Sequence, residues 1–190
     1  MWPGETFVVV AGGPTAAEAP LPSLRDRCRV IAVKDAIRLV PWADVLYACD
    51  AKWWRHHDGA GYQGPRFSVD PAAARWATVL RNTGILGLET DPSGLRTGKN
   101  SGYQAINLAV HLGAAKVVLV GFDMKPDARG RHHWFGSHPY PTLDPPHAAL
   151  REYFHTICQP LKDLGVEAVN ATPGSALDCF PRVPLDEALR

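Results

Sequence analysis

Two stretches of this chain carry residues whose types and spacing could do chemistry. One is RTGKNSGYQAINLAVHLGAAKVVLVGFDM, residues 96–124, and the other is HHWFGSH, residues 132–138. The first opens like a phosphate-binding loop. A nucleoside-triphosphatase loop, however, needs four residues between its glycines, a lysine directly after the second, and then a hydroxyl residue for magnesium. Gly94 and Gly98 bracket only three residues, and Lys99 is followed by Asn100. Ser101 arrives one place late, which turns its side chain by about 100° around a helix. Residues 91–94 are also turn-like where a strand should lead in. That reading fails. What remains is a loop running into a helix that Asn100 or Ser101 can cap, with Tyr103, Ile106 and Val110 at helical spacing and Gly113 as its stop. The free N–H groups and dipole of such a helix start, around Asn100, Ser101 and Gly102, suit an anion. The alternative is an ordinary helix start with Lys99 in solvent.

The second stretch lies in the longest irregular segment, KPDARGRHHWFGSHPYPTLDPP, residues 125–146. Loops of this length in a compact domain are functional or disordered. Its His, Arg and aromatic content, with Arg129, Arg131 and Trp134, argues for a substrate loop or lid rather than a disordered tail. His132, His133 and His138 could instead be solvated or hold a metal with Asp123. Adjacent histidines diverge and no H-E-x-x-H spacing is present, so no metal site is assigned.

The elements that must position these residues follow from hydrophobic pattern. KVVLVGFD is almost wholly apolar and β-branched, as expected of a strand covered on both faces of a parallel sheet. Similar runs predict strands at 6–11, 29–33, 44–49, 77–81, 116–121 and 166–170. Helices are expected at 101–112 and 147–164, with Pro160 kinking or dividing the second, and shorter ones at 15–19, 36–39 and 71–76. This alternation implies an α/β, Rossmann-like fold, a mainly parallel sheet flanked by helices, as one domain over residues 1–190. The 190 residues suffice for one such core. Ligands of open parallel sheets bind beyond the carboxyl ends of the strands. The residues that follow the strands are therefore the candidates: Gly12, Gly13, Pro14 and Thr15; Lys34 and Asp35; Asp50; Asp123 and Lys125; and Asn170 to Ser175. VVVAGGPT lacks the G-x-G-x-x-G dinucleotide pattern, and its glycines could serve either close backbone approach to a ligand or a tight strand exit.

Other residues have plainer expectations. A net charge of +1 gives no reason to expect nucleic acid or an anionic membrane as partner. No stretch approaches the length of a membrane span, and the first residues lack signal-peptide features, so a cytoplasmic location is expected. Cys28, Cys49, Cys158 and Cys179 have no C-x-x-C spacing and read as reduced thiols; Cys49 beside Asp50 could be a nucleophile but has no neighbouring base in sequence. Trp53 and Trp54 could stack on a ligand or pack in the core. His56 and His57 read as a surface turn, His111 and His155 as structural, and Asn170 and Ser175 as a turn that could touch ligand.

The ordered set VAGGPT, VIAVKD, DVLYACD, KNSGYQAINLAVHLGAAKVVLVGFDM, HHWFGSH and VEAVNATPGSAL resembles bacterial sialyltransferases that use CMP-sialic acid. It is similar also to a broader, often phage-associated group sharing that core and, more distantly, to pterin pyrophosphokinase-like proteins. The resemblance covers most of the chain, and the Ser-Gly helix start with its G-[IF]-D strand is its most specific part. It implies a nucleotide in the strand-end crevice, the glycine turn at Gly12, Gly13, Pro14 and Thr15, and the helix start at Ser101 and Gly102 near cytidine and phosphate. The family often has Asn between those glycines; this chain does not. Family asparagines align approximately with Lys34 and Asp50, and a family tyrosine that contacts donor phosphate becomes Lys125, where a cation could serve. HHWFGSH matches an H-Y-I-G-H-like segment with one insertion, which implies His138 as catalytic base and His133 as the second candidate. Such a histidine would take the proton of a sugar hydroxyl. The implied donor is a CMP-linked nucleotide sugar, and no cofactor is required. Two other readings stand beside this one: a magnesium-dependent pyrophosphokinase-like enzyme using Asp50 and Asp123, and a non-catalytic ligand-binding protein that retains the fold.

Overall fold

The computed structural model describes residues 1–142 and 146–190. Among these described residues nine strands form: β1 (Thr6–Val10), β2 (Arg29–Val33), β3 (Val45–Tyr47), β4 (Arg66–Ser68), β5 (Thr78–Val79), β6 (Arg81–Asn82), β7 (Gly94–Leu95), β8 (Lys116–Val120) and β9 (Glu167–Asn170). Seven of them make one sheet in the order β5-β4-β3-β2-β1-β8-β9, and every pairing is parallel. The chain winds outward from β1 to β5, then returns to add β8 and β9 on the opposite side of β1. The protein is thus α/β with a Rossmann-like parallel sheet.

Strand side chains alternate between faces, and each face has its own core. Four α-helices cover them: α1 (Ala51–His57), α2 (Ser101–Leu112), α3 (His147–Asp163) and α4 (Leu185–Ala188). Phe7, Val9, Ile31, Val117 and Leu119 pack with residues of α2 and α3, including Ile106, Phe154 and Ile157. Val8, Val10, Val30, Ala32, Val118 and Val120 pack against α1, α4 and the short 3₁₀ turns after β1 and β2. Burial on both sides explains why these strands read as continuous apolar runs.

Several expectations change. Strand 77–81 is split, because β5 stays on the large sheet while Arg81 N–H turns away to Ser93 O at 2.9 Å and β6 pairs with β7. The short helices near 15–19, 36–39 and 71–76 are 3₁₀ turns at Pro14–Glu18, Lys34–Arg38 and Pro71–Ala73. Pro160 does not divide α3. It lies in the last turn, where only one N–H is lost, and Leu164 N–H still reaches Pro160 O at 3.1 Å. His56 and His57 close α1 rather than a loop, and Trp53 and Trp54 are fully buried, with indole N–H groups on Asp35 Oδ2 (2.9 Å) and Ala48 O (3.0 Å). His111 is structural, its Nε2 2.8 Å from Gly94 O. Among the described residues no helix is long and apolar enough to cross a membrane.

Candidate functional site

A parallel sheet leaves a crevice where the winding direction reverses. Here that point lies between β1 and β8, and a cavity of about 760 Å³ opens at the carboxyl ends of β1, β2, β3 and β8. Its floor is made by Gly12 and Gly13, Lys34 and Asp35, Cys49 and Asp50, and the α2 start at Lys99, Asn100, Ser101 and Gly102. The 125–146 segment roofs it with His132, His133, Phe135, His138 and Tyr140; residues 143–145 of that segment lie outside the described residues. The lid is pinned to the glycine turn, because Trp134 N–H donates to Gly12 O at 3.2 Å.

Lys34 and Asp50 meet at the floor, with Nζ 2.7 Å from Oδ2. Asp50 also caps α1 by accepting Trp53 N–H at 3.0 Å. Burial pushes the Asp50 carboxyl up, yet Lys34 and that N–H outweigh it and hold the pKa below the ordinary value. Burial pushes Lys34 down, but Cys49 and Asp50 beside it raise the ammonium above its usual range. The carboxylate is the charge that matters, since burial pushes the Cys49 thiol up, ahead of the opposing pull of Lys34, and leaves it neutral.

At α2 the cap is Asn100, whose Oδ1 accepts Gly102 N–H at 2.8 Å and Tyr103 N–H at 3.2 Å. Two of the helix donors are thereby consumed. Ser101 keeps its hydroxyl: buried at the cavity wall, it has no hydrogen-bond partner among the described residues beyond a weak interaction with the Cys49 thiol. Tyr140 OH is likewise buried without a hydrogen bond among the described residues, and its ring stacks on His138 at 5.3 Å. Gly98 and Lys99 both take positive φ, 46° and 50°, so the loop turns tightly into the helix.

Other sequence candidates serve the scaffold. Gly13 lies so close to the β8 exit that a Cβ there would sit 2.1 Å from Asp123 Oδ2 and 2.4 Å from Gly121 O. Asp123 accepts Thr15 N–H at 3.3 Å and Thr15 Oγ1 at 3.1 Å, tying the turn after β1 to the end of β8. Burial raises its pKa against the opposing pull of Thr15. Asp123, Pro14 and Thr15 do not line the cavity. Asn170 and Ser175 are buried in a closed network of their own. Lys125 and Arg129 are exposed, Arg131 pairs with Asp127 at 2.7 Å, and Trp134 takes the Arg38 guanidinium on its ring at 5.1 Å. These four also stand outside the cavity lining.

No family model, curated protein or solved structure matches this chain. The chemistry of the site is therefore read from its own atoms. Three lysines (Lys34, Lys52, Lys99) and three aspartates (Asp35, Asp50, Asp70) line the cavity, so these fixed charges balance. No cluster of three or more His, Cys, Asp or Glu side chains is arranged to hold a metal among the described residues. A magnesium site resting on Asp50 and Asp123 does not fit, since one carboxylate is paired with Lys34 and the other is clamped by Thr15 away from the cavity. Sequence reasoning missed Tyr140 and Phe135 as lining groups. Their signal was an aromatic content unusual for a polar loop.

Proposed function

We propose that this cavity binds a nucleotide or nucleotide sugar and that the protein is a sialyltransferase-like glycosyltransferase. The observation that carries this reading is the convergence of an unsatisfied Ser101 hydroxyl, the Lys34 ammonium and a histidine lid on one cavity at the sheet's switch point. Ser101, the remaining helix dipole and Lys34 are suited to a phosphate; Lys34 takes the part expected of Lys125. In the transfer, the acceptor oxygen bonds to the anomeric carbon as the bond from that carbon to the phosphate oxygen breaks. His138, with His133 as the second candidate, receives the hydroxyl proton. Lys34 and Ser101 stabilise the charge left on the phosphate.

Thermal-shift titration with CMP, UDP, GDP and ATP, each with and without magnesium, tests the reading. Metal-independent stabilisation by a nucleoside mono- or diphosphate is expected. Stabilisation by ATP only with magnesium favours the pyrophosphokinase-like reading, and silence across the panel leaves a non-nucleotide role. Ser101→Asp places like charge beside the phosphate and should weaken CMP binding by roughly ten-fold or more; undiminished affinity removes phosphate from this position. His138→Ala should depress turnover and spare CMP binding.

A further inference from the structure

A second cavity of about 340 Å³ opens beside the first and shares Asp35 with it. Asp35 is only 4% exposed, yet its carboxylate is half used. Oδ2 accepts the Trp53 indole N–H at 2.9 Å. Oδ1 lies 3.6 Å from His57 Nε2 and 3.8 Å from Arg38 Nη1, both beyond hydrogen-bond reach. His57 Nε2 is itself buried with no hydrogen bond among the described residues. Burial pushes the His57 pKa down, ahead of the opposing pull of Asp35, so a neutral imidazole sits there. The buried, unbonded imidazole nitrogen is costly to leave unmet, and beside it Asp35 Oδ1 makes no hydrogen bond of its own among the described residues.

The rest of the wall narrows what that something is. Pro41 and Tyr62 supply an apolar surface, with Trp53 packed beneath it. Arg38 balances the charge of Asp35, so the cleft has no strong preference for a cation or an anion. A hydroxyl group both donates and accepts, which matches the pair of unmet atoms.

We propose that this cleft binds a neutral, polyhydroxylated ring, one hydroxyl of which bridges Asp35 Oδ1 and His57 Nε2. Because Asp35 also borders the main cavity, a ring held here presents a hydroxyl at the junction of the two spaces. Its role as glycosyl acceptor rests on the transferase reading above; the binding itself does not.

Saturation-transfer NMR on the full chain with the methyl glycosides of glucose, galactose and N-acetylglucosamine tests this. Transfer to at least one glycoside is expected, weakened about five-fold by His57→Ala, as loss of a single hydrogen bond implies, lowered also by Arg38→Ala, which removes a lining side chain, and kept in Lys34→Ala. Absence of transfer at concentrations on the order of 10 mM, the weak end of specific affinity, overturns the proposal. So does transfer that neither variant changes, or that Lys34→Ala abolishes. Asp35→Asn alters the anchor of Trp53 and is read only alongside its melting temperature, so the Arg38 and His57 variants decide. CMP binding without glycoside binding would sink the cleft alone; glycoside binding without any nucleotide would keep the cleft and sink the transferase.

Discussion

At the ends of β8 and β9, buried polar side chains spend their hydrogen-bonding capacity on one another. Asn170 accepts Thr172 N–H at 3.0 Å and donates to Ser175 Oγ at 3.0 Å and Leu177 O at 3.3 Å. Ser175 donates on to Phe122 O, and Asp123 is taken by Thr15. At the ends of β2 and β3, and at the start of α2, the same residue types keep capacity in reserve: the Ser101 hydroxyl, one oxygen of Asp35, and an ammonium at a cavity wall. Both regions are polar and both follow strands. What separates them is whether the chain itself supplies the partner. The first region fastens the sheet edge; the second is furnished for a guest.

The largest expected effect breaks the fastened half. Gly13 has ordinary extended backbone angles, φ −61° and ψ 159°, so Gly13→Ala costs nothing in conformation. Its methyl would collide with Asp123 and with the Gly121 carbonyl. A loss of about 3 kcal/mol or more, read by chemical denaturation, is expected. A variant of unchanged stability would mean that the junction between β1 and β8 is looser than drawn. Next comes Asn170→Ala, which orphans Thr172 N–H and the Leu177 carbonyl. About 2 kcal/mol of stability should go, with CMP affinity unaltered. A parallel loss of affinity would show that the two halves are coupled.

The furnished half should respond the other way. Lys34 holds a positive φ of 52°, strained for any residue with a Cβ. Lys34→Gly relieves that strain but leaves Asp50, in a pair whose side chains are only 19% and 34% exposed, without its cation, so a loss of about 1–2 kcal/mol, smaller than at Gly13, is expected. Nucleotide affinity should nevertheless fall on the order of ten-fold, since a charge-assisted contact to phosphate is gone. Destabilisation without loss of binding would reassign Lys34 to the scaffold.

Why the sequence reveals the sheet but not this division follows from where the information sits. β1, β2 and β8 are runs of apolar residues whose burial on two faces is written locally. β4 and β7, three and two residues long, carry no periodicity to read. Asp123 and Ser101 look equally like ligand-binding residues, Asp123 two places after Gly121 and Ser101 directly before Gly102, both at the expected edge. Their fates are decided by which partner the fold supplies: Thr15, 108 positions away, occupies Asp123, while the neighbouring Asn100 satisfies the helix start and leaves Ser101 spare. The lid was legible as a long aromatic loop. The pairing of Asp35 with His57 was not, because it depends on α1, a helix hidden behind two tryptophans that read as core or ligand alike.

The subtlest consequence is in pH. Asp123, in the fastened half, has a pKa raised from the ordinary 3.8 by burial against the pull of Thr15. As pH climbs from that value, the unfolded chain releases this proton first, so the folded state binds more protons and its stability falls through the window up to the folded pKa. His57, in the furnished half, has a pKa lowered from 6.5 by burial, opposed by Asp35 and aided by His56 and Arg38. As pH drops below 6.5 the unfolded imidazole takes up its proton first, and stability falls with falling pH until the folded group titrates. The two slopes have opposite signs, one starting at 3.8 and running upward, the other starting at 6.5 and running downward. Denaturant midpoints measured across about pH 4 to 7 should lose the acid-side slope in Asp123→Asn and the near-neutral slope in His57→Gln. If His57→Gln leaves the near-neutral slope intact, the imidazole is solvated rather than enclosed, and the reserve attributed to the Asp35 side of the edge shrinks to Ser101 and Lys34.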